Sequence, residues 1–200
     1  SEFFVIMKKD NLKKLEETLI QTGLKIARRG EGALFVVGDA TYKPLVKQTV
    51  KSFDVIKNPK LLESLALMDG AVIISKSGKM KAYGAMISTT KTLKNFGTRH
   101  SAAVSASEGG NLVVVVSEED RKVKIIRKGK MIIQLDALQR DVEKGVSQTV
   151  NILESLGAGT LGTIGTSLLV PGLGLTLLPG VVVFGSAYYL TKIIAKKLGR

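Results

Sequence analysis

Cysteine is absent from this 200-residue chain, and histidine occurs once, at His100. The first absence excludes a disulfide scaffold, thiolate zinc sites, iron–sulfur ligation and a thiol nucleophile together. The second excludes a histidine-cluster metal centre, so a divalent cation has to sit on oxygen ligands, which favours Mg or Mn. Tryptophan is missing and aromatics are only 5% of residues, a poor endowment for a platform that stacks bases. Acids are scarce beside bases, 17 against 30, for a formal net charge of +13. That surplus points to an anionic partner: nucleotide, nucleic acid or lipid headgroups. With so few aromatics, nucleic acid is the unlikely member of the three.

The charge is unevenly spread. All 17 acids lie at or before Glu154 with 26 of the bases, a net of +9, whereas the remaining residues carry only Lys192, Lys196, Lys197 and Arg200. Residues 156–191 hold no charge at all. The break divides the chain into a domain over 1–155 and an apolar segment over 156–200. A domain of that size buries about 70% of its unfolded surface and folds without a disulfide or metal staple. No cleavable signal peptide is visible, and Ser1 to Ile6 ahead of Met7 read as added residues or the end of an upstream segment.

Hydrophobic periodicity gives a coarse layout. A helix is expected over 10–29, with Asp10 as N-cap and Leu12, Leu15, Leu19, Ile20, Leu24 and Ile26 on roughly one face. Strands follow at 33–37 and 53–56, with a helical stretch over 44–52 between them and a helix over 59–68. A hairpin joins 71–75 to 79–87 through Lys76-Ser77-Gly78. A helix of small residues covers 98–107. Strands at 112–117, 122–127 and 131–133 precede an amphipathic helix over 136–156. The implied fold is α/β, a mixed central sheet layered between helices.

Three polar clusters interrupt this pattern. Asp69-Gly70-Ala71 puts a carboxylate at a helix-to-strand junction, where glycine lets a ligand approach the backbone and the carboxylate can hold a metal or accept a hydroxyl proton. Thr98-Arg99-His100-Ser101 opens a helix, so oriented amides, the helix dipole and a guanidinium converge as a phosphate site requires. Ser107-Glu108-Gly109-Gly110 closes the same helix. Each cluster alone has a bland alternative: a turn, a capped helix, a helix terminus.

Their order is more specific. Asp69-Gly70-Ala71 before Val-Ile-Ile, then Gly97-Thr98-Arg99-His100, then Ser107-Glu108, then VVVVSEE over 113–119 and KGKM over 128–131 closely resembles the diadenylate cyclase (DAC) family. The ARRGEGAL run over 27–34 belongs to the same pattern. The resemblance spans roughly 12–131. It implies an enzyme that condenses two ATP molecules into cyclic di-AMP and two pyrophosphates, with Mn or Mg, in face-to-face homodimers. It implies Asp69, Arg99 and His100 as catalytic residues and Asp69 and Glu108 as metal ligands. Gly70, Ala71, Met86, Ile87, Thr98, Ser101 and Glu108 would contact the nucleotide. The usual Arg-His-Arg is here Arg99-His100-Ser101, which loses a bidentate fork. Lys91 or Lys94 is a candidate replacement. The alternative is a catalytically weak sensor that binds ATP or cyclic di-AMP.

The uncharged segment reads as a Gly/Pro-rich helical hairpin broken at Pro171-Gly172 and Pro179-Gly180. Each arm around the centre falls short of the about 20 residues of a membrane span. The expectation is a re-entrant or single broken span that holds a cytoplasmic catalytic domain at the membrane, and its alternative is an oligomer interface.

Overall fold

The computed structural model describes residues 2–89, 98–157 and 179–184, with side-chain surroundings from residue 5 to residue 154 and again from 179. An eight-stranded sheet organises these residues, in the order β2-β4-β3-β1-β5-β6-β7-β8. The strands are β1 (Ala33–Val37), β2 (Tyr42–Pro44), β3 (Ala71–Ile74), β4 (Met80–Ile87), β5 (Leu112–Ser117), β6 (Lys122–Arg127), β7 (Lys130–Asp136) and β8 (Val181–Val183). Only β1 and β3 pair in parallel; the other pairings are antiparallel. The mixed sheet expected from sequence is therefore present.

Its central strands are continuous apolar runs because both faces are covered. Phe35 and Val37 face one core with Leu15, Leu19, Leu24, Leu62 and Val150, from the helices α1 (Glu2–Arg28), α2 (Pro59–Ala66) and α4 (Val146–Gly157). Leu34 and Val36 face the other core, with Ala103 and Ala106 of α3 (Thr98–Glu108). Each fully buried Leu or Ile contributes about 1.5–3 kcal/mol, so the α1 face dominates stability. The α3 face is built from small residues and supplies close approach instead.

Four expected elements differ. The first helix begins at Glu2, so Asp10 lies within it rather than at its cap. The stretch 44–52 is not helical: Gln48 accepts from the Tyr83 amide at 3.1 Å and donates to the Tyr83 carbonyl at 2.8 Å, taking the place of a neighbouring strand. The Tyr83 hydroxyl accepts from the Thr49 and Val50 amides, which fixes the same stretch to β4. The strand at 53–56 reduces to one bridge, Asp54 to Lys79. The helix expected from 136 starts at Val146, because β7 runs on to Asp136, whose carboxylate accepts from the Leu138 amide at 2.9 Å and turns the chain.

Of the apolar C-terminal segment, residues 181–183 are a strand on β7 rather than part of a helix, with Val181 opposite Leu135. Leu156 and Gly157 end the helix that starts at Val146, and residues 158–178 and 185–200 lie outside the described residues. Among the described residues no helix is long and apolar enough to cross a membrane.

Glu16 of α1 is the exception to an apolar core. It is 2% exposed, its Oε2 has no hydrogen-bond partner, and the Arg127 guanidinium stands 3.9 Å from Oε1. Burial pushes its carboxyl up to about 7; the charge of Arg127 opposes the shift and that of Glu154 adds to it. The native state therefore holds this proton where the unfolded chain has lost it, so the associated stability is full below 4.5 and lost as pH rises through about 7. Glu16→Gln should flatten that dependence: thermal melts should show the variant more stable than the wild type at about pH 8 and little different at about pH 4.

Candidate functional site

Where β3 begins, the backbone crosses tightly over that of β4. Gly70 has φ +98, and a Cβ there would lie 2.7 Å from the Ala85 amide nitrogen. No other residue fits, because backbone cannot yield as a side-chain tip can. Opposite it, Gly84 has φ +53, and its carbonyl accepts from the Leu45 amide at 2.8 Å. The register of β3 against β4 shifts between Ala71 and Ile73, which bends the strand entrance outward. Asp69 is thereby exposed at the edge of the crossing, its Oδ1 accepting from the Gly70 amide at 3.0 Å.

The crossing forms the floor of a cleft of about 330 Å³. Asp69, Gly70 and Ala71 line it from β3, and Met86 and Ile87 from the end of β4. Thr98, Arg99 and Ala102 close it from the first turns of α3. Seven of the residues singled out by sequence, Asp69, Gly70, Ala71, Met86, Ile87, Thr98 and Arg99, thus share one concavity.

Arg99 is held from two sides. Its Nη1 donates to Glu118 Oε2 at 3.2 Å, from the turn after β5. Its Cζ lies where a Cβ on Gly32 would be only 2.8 Å away, so the guanidinium occupies the space that glycine leaves. The ion pair is half exposed, 38% and 55%, and contributes little to stability. A phosphate group can displace it at small cost.

The other candidates lie elsewhere. His100 turns from the cleft toward β6, with Nε2 3.3 Å from Lys124 Nζ. Burial first and the Lys124 charge second hold it below the ordinary histidine range, which favours the neutral ring that an ammonium donor beside Nε2 requires. Asp120 completes the group with an Oδ2 contact of 2.9 Å to Lys124. Ser101 is 5% exposed on the buried face of α3, not in the cleft. Glu108 lies about 13 Å along the helix from Arg99, beside Gly129. Asp69 and Glu108, the two metal ligands expected from the resemblance, are not brought together in one cleft: Glu108 is not in the lining and lies six positions along α3 beyond Ala102. Lys91 and Lys94 lie outside the described residues.

Sequence reasoning missed Leu45, Thr89 and Glu118. Leu45 was hidden by the helix expected over 44–52. Thr89 belonged to a hydroxyl-rich run that gave no spacing signal. Glu118 stood in the VVVVSEE motif without an assigned contact.

The family model described as DisA bacterial checkpoint controller nucleotide-binding (DAC) matches residues 20–131, more than half of the chain. The chain belongs to the DAC family. The match contains Gly32, the Asp69-Gly70-Ala71 crossing, Arg99 and Glu118, so it covers every element of the cleft described above. A diadenylate cyclase of Haloferax volcanii is 35% identical over 137 residues, covering 60% of this chain and 50% of that protein. The DNA integrity scanning protein DisA of Corynebacterium efficiens is 33% identical over 128 residues, covering 61% and 36%. The chain thus spans half or less of the length of these curated relatives. Among solved structures, a DacA double mutant from Staphylococcus aureus is 26% identical with a TM-score of 0.45, covering 59% of this chain and 84% of that one. A hypothetical membrane spanning protein from Bacillus cereus is 29% identical with a TM-score of 0.44, covering 56% and 60%.

Gly70 of this DAC cleft and Gly32, against the Arg99 guanidinium, should respond differently to a methyl group. Gly32→Ala meets chiefly the movable end of Arg99, with the Val116 carbonyl oxygen 3.3 Å away, and should lower the melting temperature only slightly while weakening nucleotide affinity about tenfold through displacement of Arg99. Gly70→Ala meets backbone at positive φ and should cost more than about 2 kcal/mol of stability. Denaturant melts paired with ATP titrations separate the two.

Proposed function

We propose that the chain is a diadenylate cyclase, which condenses two ATP molecules into cyclic di-AMP with release of two pyrophosphates. The observation that carries this reading is the convergence of Asp69, Arg99 and Thr98 with Met86 and Ile87 on one cleft in a DAC-family chain. In each half-reaction a ribose 3′-oxygen forms a bond to the α-phosphorus of the other nucleotide, and the bond from that phosphorus to the leaving pyrophosphate breaks. The hydroxyl proton passes to Asp69, whose exposed carboxylate stands at the mouth of the cleft. Arg99 leaves Glu118 to meet the phosphate oxygens, where charge builds in the transition state. Thr98 and the amides of the first α3 turn bind the phosphates, and Met86 and Ile87 cover the base.

One cleft of this size holds one nucleotide, so the reaction needs two clefts face to face. Exposed apolar side chains around the mouth support such a homodimer: Leu45, Leu67, Met68 and Met86 are 42–50% exposed. Among the described residues no three acidic or histidine side chains cluster as a metal site. Asp69 would hold a Mg or Mn ion through its carboxylate together with substrate phosphate oxygens, with Glu108 as the other candidate ligand. Such an ion supplies charge neutralisation at the α-phosphate.

Burial of Ser101, where the family carries arginine, favours a second reading: a sensor that binds ATP or cyclic di-AMP with little turnover. The two readings part on variants. Under the cyclase reading, Asp69→Asn retains ATP binding and loses cyclic di-AMP formation by about a hundredfold or more. Unchanged turnover in that variant would remove Asp69 from the chemistry. Ser101→Arg should lower the melting temperature and leave turnover no higher; a sharp rise in product would favour the sensor.

A further inference from the structure

A second cavity, of about 370 Å³, opens at the other end of β3 from the cleft. It gathers three lysines from separate elements: Lys8 of α1, Lys76 of the β3–β4 turn and Lys81 of β4. Asp39 is the carboxylate among its lining residues, and it accepts from Lys81 at 2.6 Å. Among the described residues no carboxylate forms an ion pair with Lys8 or Lys76. Lys81 keeps two further N–H groups after serving Asp39. Three ammonium groups against one carboxylate repel one another unless an anion joins them.

The wall is fixed before any ligand arrives. Asn111, 5% exposed, donates to the Asp39 carbonyl at 2.6 Å, filling the space that Gly38 leaves for lack of a Cβ. Asn11 donates to the Ser77 carbonyl at 3.2 Å, and the Ser75 and Ser77 hydroxyls bond each other at 2.8 Å beside the lysines. A concavity with ammonium donors from three elements and seryl hydroxyls on one side suits a multiply charged tetrahedral oxyanion better than a planar carboxylate.

We propose that this cavity binds a phosphate group, at a site separate from the catalytic cleft. The same chemistry can arrive on a small phosphorylated molecule or on a lipid headgroup, since Val5, Ile6 and Met7 stand 66%, 58% and 56% exposed just ahead of Lys8. The test follows amide resonances of the isotope-labelled full chain during titration with inorganic pyrophosphate in the absence of divalent metal. Expected are shifts at Gly38, Ser75 and Ser77 that disappear in the Lys76→Gln/Lys81→Gln double variant and that saturate at several-fold lower ligand in Asp39→Asn. The gain in Asp39→Asn cannot come from damage to the fold. A parallel arm sediments the protein with phosphatidylcholine vesicles with and without phosphatidic acid. Binding only to phosphatidic acid vesicles, lost in the double variant, assigns the phosphate to a headgroup. Shifts confined to Gly70 and Ala71 with no vesicle binding, or shifts at Gly38, Ser75 and Ser77 or vesicle binding that persist in the double variant, would overturn the proposal.

Discussion

The approach of Gly70 to the Gly84–Ala85 backbone is the contact on which the site depends. It brings the start of β3 against the end of β4 at a distance that no side chain permits. Asp69 projects from one strand beside Met86 and Ile87 of the other as a result. The same crossing carries Leu45 to the cleft, through the hydrogen bond of its amide to the Gly84 carbonyl. Carboxylate, apolar wall and rim thus share a single backbone constraint, and the strain of two positive φ angles is concentrated where glycine removes its cost.

The other half of the site rests on α3. Its inner face uses Ala103 and Ala106, so the helix lies close to β1 and β5 and its first turn overhangs the crossing. Gly32 then gives the Arg99 side chain room at the start of β1, and Glu118 holds it there with a half-exposed ion pair. The arrangement is preorganised yet easily exchanged: the guanidinium is already aimed, and an incoming phosphate replaces only a weak contact. His100, one residue on, points to Lys124 and Asp120 instead. Neighbouring residues of one motif therefore serve opposite faces of the same helix.

Much of this was legible in the sequence, for identifiable reasons. The apolar runs at 33–37 and 71–74 announce buried strands, and the spacing of Leu15, Leu19 and Leu24 announces the α1 face. The motif order predicts that Asp69, Arg99 and their neighbours share one site, and one cleft gathers Asp69, Gly70, Thr98 and Arg99. What escaped depends on tertiary contacts with no local signal. Gln48 acts as a strand surrogate only because Tyr83 lies opposite, and the helix expected over 136–156 loses its first turns because β7, paired with β6, runs on to Asp136, whose carboxylate then turns the chain. Glu118 and Gly32 acquire meaning only when Arg99 comes between them. The direction of His100 and Ser101 is set by the rotation of α3 on the sheet, which a sequence of small residues does not reveal.

The most direct measurement is incubation of the purified chain with ATP and Mn, then Mg, with nucleotide products separated by chromatography and identified by mass. Cyclic di-AMP with two equivalents of pyrophosphate is the result this account predicts, and it would show that Ser101 is compatible with turnover. ATP bound in both metals and recovered unconverted, from protein shown to be dimeric, would contradict it.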